Sequence, residues 1–231
     1  MKTIGLLGGM SWESTASHYR AINDGIRKTL GGLHSAKLCL YSVDFEEIET
    51  LQQQGRWDDA GVILARAAQS VEAGGADFLL LCTNTMHKVV PAIEAAISIP
   101  LLHIADATAE QLVNDNVSKV GLLGTQFTMA QDFYKGRLTN RYGIDVLVPH
   151  EQEQIIVHNI IYSELCMGRV TDESREQYLD IIDQLAIRGA EVIILGCTEI
   201  GLLVKPYHTS VSLYDTTTLH AERAVSMALH R

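Results

Sequence analysis

One pattern occurs twice in this chain. Residues 74–87 read Gly-Gly-Ala-Asp-Phe-Leu-Leu-Leu-Cys-Thr-Asn-Thr-Met-His, and residues 189–201 read Gly-Ala-Glu-Val-Ile-Ile-Leu-Gly-Cys-Thr-Glu-Ile-Gly. Each is an apolar run that gives way abruptly to small polar residues. A strand buried on both faces looks like this where it enters a loop at the carboxyl edge of a parallel sheet. Aligning Gly75 with Gly189 sets Thr83 against Cys197, Asn84 against Thr198 and Thr85 against Glu199. A second pair, Ile-Gly-Leu-Leu-Gly-Gly from residue 4 and Val-Gly-Leu-Leu-Gly-Thr from residue 120, repeats at almost the same spacing, with Gly5 over Gly121. Two anchors in one register indicate an internal duplication. Open α/β sheets bind ligands beyond the carboxyl ends of their strands, so two such ends facing each other are expected to enclose one site between two halves.

Between the anchors, strand-like and helix-like segments alternate. Residues 3–7, 37–43, 78–82 and 99–104 read as strands; 14–30, 57–73 and 86–96 read as helices. The polar stretch 46–56 reads as a short helix or a loop. The second round has a helix at 128–142, a strand at 145–148, helices at 152–167 and 172–189, a last strand at 210–214 and a C-terminal helix. This alternation predicts an α/β fold of doubly wound parallel sheets with helices on both faces. The last helix is expected to return to the first half, because termini of such folds often lie close together. That gives one lobe of 1–103 plus 208–231 and a second of 104–207. The connections 104–117 and 201–209 are not rich in Pro, Gly or Ser, and are expected to be packed crossings.

Composition then narrows the function classes. With 231 residues, 47% of them apolar, the chain can bury one large core or two modest ones. A formal net charge of −10 argues against a nucleic-acid surface and favours a small-molecule or protein partner. No apolar run approaches the roughly 20 residues that cross a bilayer, and the first residues run straight into a strand without a leader pattern. A cytoplasmic protein without membrane contact is expected. The four cysteines, Cys39, Cys82, Cys166 and Cys197, form no Cys-x-x-Cys pair, so zinc is not indicated. In a reducing compartment they are expected as free thiols.

Several side chains could carry chemistry. Gly8-Gly9-Met10, between a strand and a helix, could offer backbone N–H groups to an anion or simply make a tight turn. No dinucleotide or ATP fingerprint is present. Asn84, Thr85 and Thr198 are short hydrogen-bonding groups at strand ends, suited to a carboxylate, with helix N-capping as the competing role. Thr125 ends the second half's first strand and joins the same rim. Cys197 follows Gly196 among polar neighbours, where a nearby helix N-terminus could favour a thiolate. Cys39 and Cys166 read as buried hydrophobes. Side chains alternate along a strand, so Cys82 should point away from Thr83, and the repeat puts Thr83 in the phase of Cys197. Cys82 therefore reads as packing. His87 could relay protons from behind the loop or serve structure, and His103 reads as a core or capping histidine. Glu199 could orient or deprotonate the Cys197 thiol, or cap a helix.

Gly-Leu-Leu-Gly-Gly-Met at 5–10, Asn-Thr at 84–85 and Gly-Cys-Thr-Glu at 196–199 resemble the cofactor-independent aspartate/glutamate racemase family, over essentially the whole chain. The resemblance implies two α/β domains related by a pseudo-twofold that close over one amino acid, no pyridoxal phosphate or other cofactor, and a homodimer. It implies proton transfer at the substrate α-carbon from opposite faces, with Cys197 as one acid/base residue. It carries over Asn84, Thr85, Thr125 and Thr198 as contacts to the α-carboxylate or amino group, and Met10 and Gln52 as neighbours of the substrate side chain. Where the family's first catalytic cysteine precedes Asn-Thr, this chain has Thr83, with a cysteine displaced to Cys82. Glu47 and Cys166 stand where archetypal aspartate racemases carry basic residues for the distal carboxylate. The combination Cys-Thr-Asn-Thr with Gly-Cys-Thr-Glu resembles a subgroup associated with the L-enantiomers of aspartate and glutamate. The expected function is thus an aspartate/glutamate racemase with Cys197 and Thr83 on opposite faces, favouring the L-enantiomer. The alternatives are a relative of hydantoin racemase, maleate isomerase or arylmalonate decarboxylase type, and a two-lobed amino-acid-binding protein without turnover.

Overall fold

A computed structural model describes residues 1–230. It divides into two compact units, residues 1–104 with 220–230, and residues 105–219.

The first unit runs β1 (Ile4–Gly8), α1 (Trp12–Leu30), β2 (Leu38–Ser42), α2 (Phe45–Gln53), α3 (Trp57–Ala73), β3 (Phe78–Leu81), a 3-10 turn (Thr85–Val89), α4 (Val90–Glu94) and β4 (Leu101–Leu102). Its sheet is parallel with order β2-β1-β3-β4. The strands are apolar on both faces because both faces are covered. Leu79 and Leu81 pack with Leu64, Ala68 and Val71 of α3, while Phe78, Leu80 and Cys82 pack with Ile22 and Ile26 of α1. The ambiguous polar stretch is helix α2. Asp44 caps its first turn by accepting from Glu46 N–H, and Ile48, Leu51 and Gln52 form its buried face. The helix expected over 86–96 is instead a 3-10 turn followed by a short α4 with Pro91 in its first turn. Proline has no N–H to continue a ladder begun upstream. The strand expected over 99–104 shrinks to β4, because the Ile99 N–H goes to the Glu72 carboxylate and helix begins at Ile104.

From Ile104 the chain continues as α5 (Ile104–Asn114), then β5 (Lys119–Gly124), α6 (Gln126–Ala130), α7 (Asp132–Tyr142), β6 (Asp145–Leu147), α8 (Glu151–Ser163) and α9 (Asp172–Ile187). β7 (Val192–Gly196), α10 (Ile200–Leu203), β8 (Ser212–Asp215) and α11 (Thr216–Leu229) complete it. The connection expected as a crossing is helix α5, rich in the strong helix former alanine. The single helix expected over 128–142 is broken at Gln131, whose backbone is extended. The second sheet has order β6-β5-β7-β8, the same as the first. Its core joins Ile193 and Leu195 to Val157 and Ile160 of α8 and Ile182 and Leu185 of α9.

The duplication extends to register. Gly5 pairs with Leu79 in the first sheet, and Gly121 with Ile193 in the second. At both glycines the overlying helix lies against the strand: a Cβ on Gly5 would come within 2.5 Å of Val71 of α3, and one on Gly121 within 3.1 Å of Leu185 of α9. β8 pairs with β7 from Val192↔Ser212 to Leu195↔Asp215. Residues 208–219, grouped with the first lobe from sequence, therefore fall in the second unit, and the chain re-enters the first unit at His220, inside α11. Ala221, Ala224 and Val225 then join Ile22 and Ile26 in the first unit's core.

In the second unit Arg137 of α7 grips Asp106 of α5 through two hydrogen bonds of 2.6 and 2.7 Å, and Arg141 adds a third at 3.2 Å. Burial pushes the Asp106 carboxyl up, but the guanidiniums outweigh it and hold the group below its ordinary value. A depressed carboxylate pKa contributes stability above the unfolded value, and that contribution disappears as pH falls through the folded one. Urea unfolding of Arg137→Ala should show a loss of about 1 kcal/mol at pH 7, after solvent screening, and a shrinking difference from wild type below about pH 4.

Candidate active site

In the first unit, the functional stretch begins where β3 stops. Cys82 N–H still donates to Leu7 O, and Thr83 N–H folds back onto Leu81 O at 2.9 Å. The strand alternation turns the Cys82 side chain into the hydrocarbon of the α1 face, where it is fully buried and its thiol pKa is pushed up. Thr83, Asn84 and Thr85 follow, all buried, with the 3-10 turn starting at Thr85. Met10 and Met86 lie in one apolar cluster with Leu51, and Gln52 donates its Nε2–H to Met86 Sδ at 2.9 Å. The structure thus brings Gln52 to the turn that begins at Thr85, and Met10 into the apolar cluster that Met86 joins. It also adds Met86, which sequence reasoning passed over although it directly follows Asn-Thr. The Gly8-Gly9 loop does not present both amides: Gly9 N–H donates to Thr15 Oγ1 at 2.8 Å. Gly9 is needed there because φ is +96° and a Cβ would lie 2.2 Å from Val43 O.

In the second unit, β5 and β7 end side by side, with Gly124 opposite Gly196. Thr125 is therefore one residue beyond the ladder on β5, and Cys197 one beyond it on β7. Thr125 caps α6, accepting from Thr128 N–H, and lies 3.2 Å from Thr128 Oγ1. His158 Nδ1 accepts the Gln126 N–H of the same first turn; its place on α8 gave no sequence signal for this. Cys197 is 8% exposed, against the apolar cluster of the second unit. Its sulfur is not wholly in hydrocarbon: Sγ donates to Glu199 Oε2 at 3.0 Å, and Thr198 Oγ1 donates to the same oxygen at 2.7 Å. Burial, then the negative charge of Glu199, pushes the Cys197 pKa well above the ordinary thiol range. The expected thiolate at a helix N-terminus is corrected accordingly. α10, which follows, has a single turn, and Cys197 is a thiol hydrogen-bonded to Glu199. Tyr178, buried beneath, stays neutral, with its hydroxyl on Val157 O.

His87 and His103 are both buried, with rings 4.4 Å apart. His87 lies directly behind the first loop, with Nδ1 2.7 Å from Thr83 O. Glu47 lines an open surface cavity of about 570 Å³ shared with Asp44, Glu46, Asp59 and Arg56, which none of the strand-end residues reaches. Arg56 is held there by Asp59. Among the described residues, no group of three His, Cys, Asp or Glu side chains is disposed to hold a metal ion, and no helix is long and apolar enough to cross a membrane.

Two parallel sheets of one strand order, each ending in small polar side chains and one of them in a thiol hydrogen-bonded to a carboxylate, define a duplicated α/β fold. The sequence family described as Asp/Glu/hydantoin racemase matches residues 7–224. A solved protein of Yersinia pestis, classed with the Asp/Glu racemases, is 52% identical over the whole of both chains with a TM-score of 0.93. An aspartate racemase homologue from Pyrococcus horikoshii is 32% identical, again over both whole chains, with a TM-score of 0.86. The broad-specificity amino-acid racemase RacX of Bacillus subtilis is 22% identical over 98% of each chain. This chain belongs to the Asp/Glu/hydantoin racemase family, and it is an isomerase.

Proposed function

We propose that the chain racemises aspartate or glutamate without a cofactor, removing and returning the α-proton with Cys197 on one face of the α-carbon and Thr83 on the other. The observation that carries this reading is the buried Cys197–Glu199 pair. A thiol whose pKa lies above neutrality is a poor standing base, but a carboxylate 3.0 Å away can receive its proton as the thiol takes up the substrate's. Glu199 therefore acts behind Cys197, and Thr198, donating to the same carboxylate oxygen, fixes the carboxylate in place.

Asn84, Thr85, Thr125 and Thr198 are the proposed partners of the α-carboxylate and ammonium. Hydrogen bonds donated by Asn84, Thr85 and Thr125 would stabilise the enolate-like charge that develops when the α-proton leaves, while Thr198, whose hydroxyl proton goes to Glu199, would accept from the ammonium. Met10 and Gln52, with Met86, lie toward the substrate side chain, and His87 holds the loop from behind. A threonine hydroxyl is far too weakly acidic to stand ionised near neutral pH, so the two faces are unequal. The two enantiomers share one kcat/KM because they are equal in free energy, so the inequality falls on kcat and KM separately, and the favoured, higher kcat is assigned here to L. The enzyme is read as a homodimer acting in the cytoplasm, a reading that rests on the family resemblance.

Incubation with L-aspartate or L-glutamate in D2O should introduce deuterium at the α-carbon, read by loss of the α-proton NMR signal. Tight calorimetric binding without any exchange would instead make the chain an amino-acid-binding protein. A substrate lacking the ammonium group, exchanged at a comparable rate, would point to the other reactions of the family.

A further inference from the structure

The loop that carries Thr83 has its backbone groups accounted for one by one. Cys82 N–H goes to Leu7 O and Thr83 N–H to Leu81 O. The two carbonyls are held by side chains: Ser14 Oγ donates to Cys82 O at 2.7 Å, and His87 meets Thr83 O through Nδ1 at 2.7 Å. The other nitrogen of His87 fixes its tautomer. Nε2 lies 3.2 Å from the Ile104 N–H, one of the donors that a helix leaves unpaired in its first turn. An N–H can only donate, so Nε2 carries a lone pair and the proton sits on Nδ1, where it is given to Thr83 O. Adding a proton to Nε2 would set one N–H against another and break the bridge.

The titratable groups facing His87 make that protonation consequential. Across from it are His103, with ring centroids 4.4 Å apart, and His220 of α11 at 6.2 Å, with His18 of α1 a further 5.5 Å beyond His220. All four imidazoles are buried. His220 donates to Leu102 O, and burial, followed by its two imidazole neighbours His18 and His87, pushes its pKa well down. Lys88, next to His87, lies over the Trp57 ring at 3.8 Å. Asp58, Asp59 and Arg66 of α3 and Glu94 of α4 are exposed.

We infer that His87 is a positioning residue for Thr83: as a neutral imidazole it holds the loop that presents the Thr83 hydroxyl, and its protonation releases that loop and sets the acid limb of the activity. This rests on the reading of Thr83 as a residue of the reacting face.

Two measurements test it. In [15N]histidine-labelled protein at pH 8, long-range 1H–15N correlations should show His87 as the Nδ1–H tautomer; an Nε2–H tautomer or an imidazolium would overturn the bridge. The pH profile of kcat/KM for L-aspartate is then compared among wild type, His87→Asn, whose amide N–H stands near the Nδ1 position but does not titrate, and His87→Phe. The wild-type acid limb should coincide with the conversion of His87 to imidazolium. In His87→Asn that limb should move by more than one pH unit or vanish. In His87→Phe, kcat should fall about 10- to 100-fold at every pH with KM nearly unchanged. An unaltered acid limb in His87→Asn, with thermal melting showing it folded, would refute the assignment. Absence of any turnover in wild type would count against the proposed reaction, and the tautomer measurement would still decide the bridge.

Discussion

Replacing Cys197 by alanine is expected to lower α-proton exchange by about 100- to 10,000-fold, the range in which a positioned acid or base contributes. The expectation depends on a contrast between two cysteines at equivalent strand ends. Cys82 and Cys197 are both buried, and both have a raised pKa. For Cys82 burial is the sole cause, and it lies in the apolar cluster that holds Leu6, Ile22 and Leu80. For Cys197 the thiol proton is already directed at Glu199. Cys82→Ala should therefore cost some stability, about 1 to 2 kcal/mol for a small cavity, and leave exchange essentially intact. Loss of exchange in Cys82→Ala with retention in Cys197→Ala would reverse the assignment.

Thr83→Cys should have the opposite kind of effect, a gain. An ordinary thiol titrates near 8.5, many orders of magnitude more acidic than an alcohol. The substitution places a competent acid/base group on the face proposed to be the weaker one. The value of kcat/KM should rise by about 10- to 100-fold for both enantiomers alike, because the equilibrium constant of racemisation is one, with the larger gain in kcat for the D-enantiomer. Polarimetry or circular dichroism with each enantiomer reads both directions. A variant that folds and gains nothing with the D-enantiomer would remove Thr83 from the reacting face.

Much of this architecture is legible in the residues themselves. The apolar runs 78–81 and 192–196 are strands because continuous burial on both faces leaves no other use for them, and the glycines at 5 and 121 mark equivalent places in the two ladders. The periodicity of residues 3.6 apart also reveals α1, α3 and α9. Less visible was whatever depends on a partner distant in sequence. The Ile99 N–H belongs to Glu72, and β8 belongs to β7 rather than to the first sheet. Helix α5 is hidden because it occupies the place of a connection between the two repeats.

The site divides in the same way. Residue types at strand ends point to Asn84, Thr85, Thr125 and Cys197, and the Cys-Thr-Glu spacing already holds the thiol–carboxylate contact. The protonation state of Cys197 could not be inferred there, since it follows from burial and from where the Glu199 carboxylate turns. Nor could the His87 bridge, whose two ends are Thr83 and Ile104.

The most direct test of two unequal groups acting on opposite sides of one carbon is the distribution of label early in the reaction. With L-aspartate in D2O, product and remaining substrate are separated by chiral chromatography within the first few per cent of conversion, and their masses are read. The account predicts that D-aspartate carries solvent deuterium while the recovered L-aspartate remains unlabelled, because the proton removed by one group is not the proton delivered by the other. Product that retains the original hydrogen, or substrate that exchanges as fast as product forms, would mean that a single group serves both steps, and would contradict it.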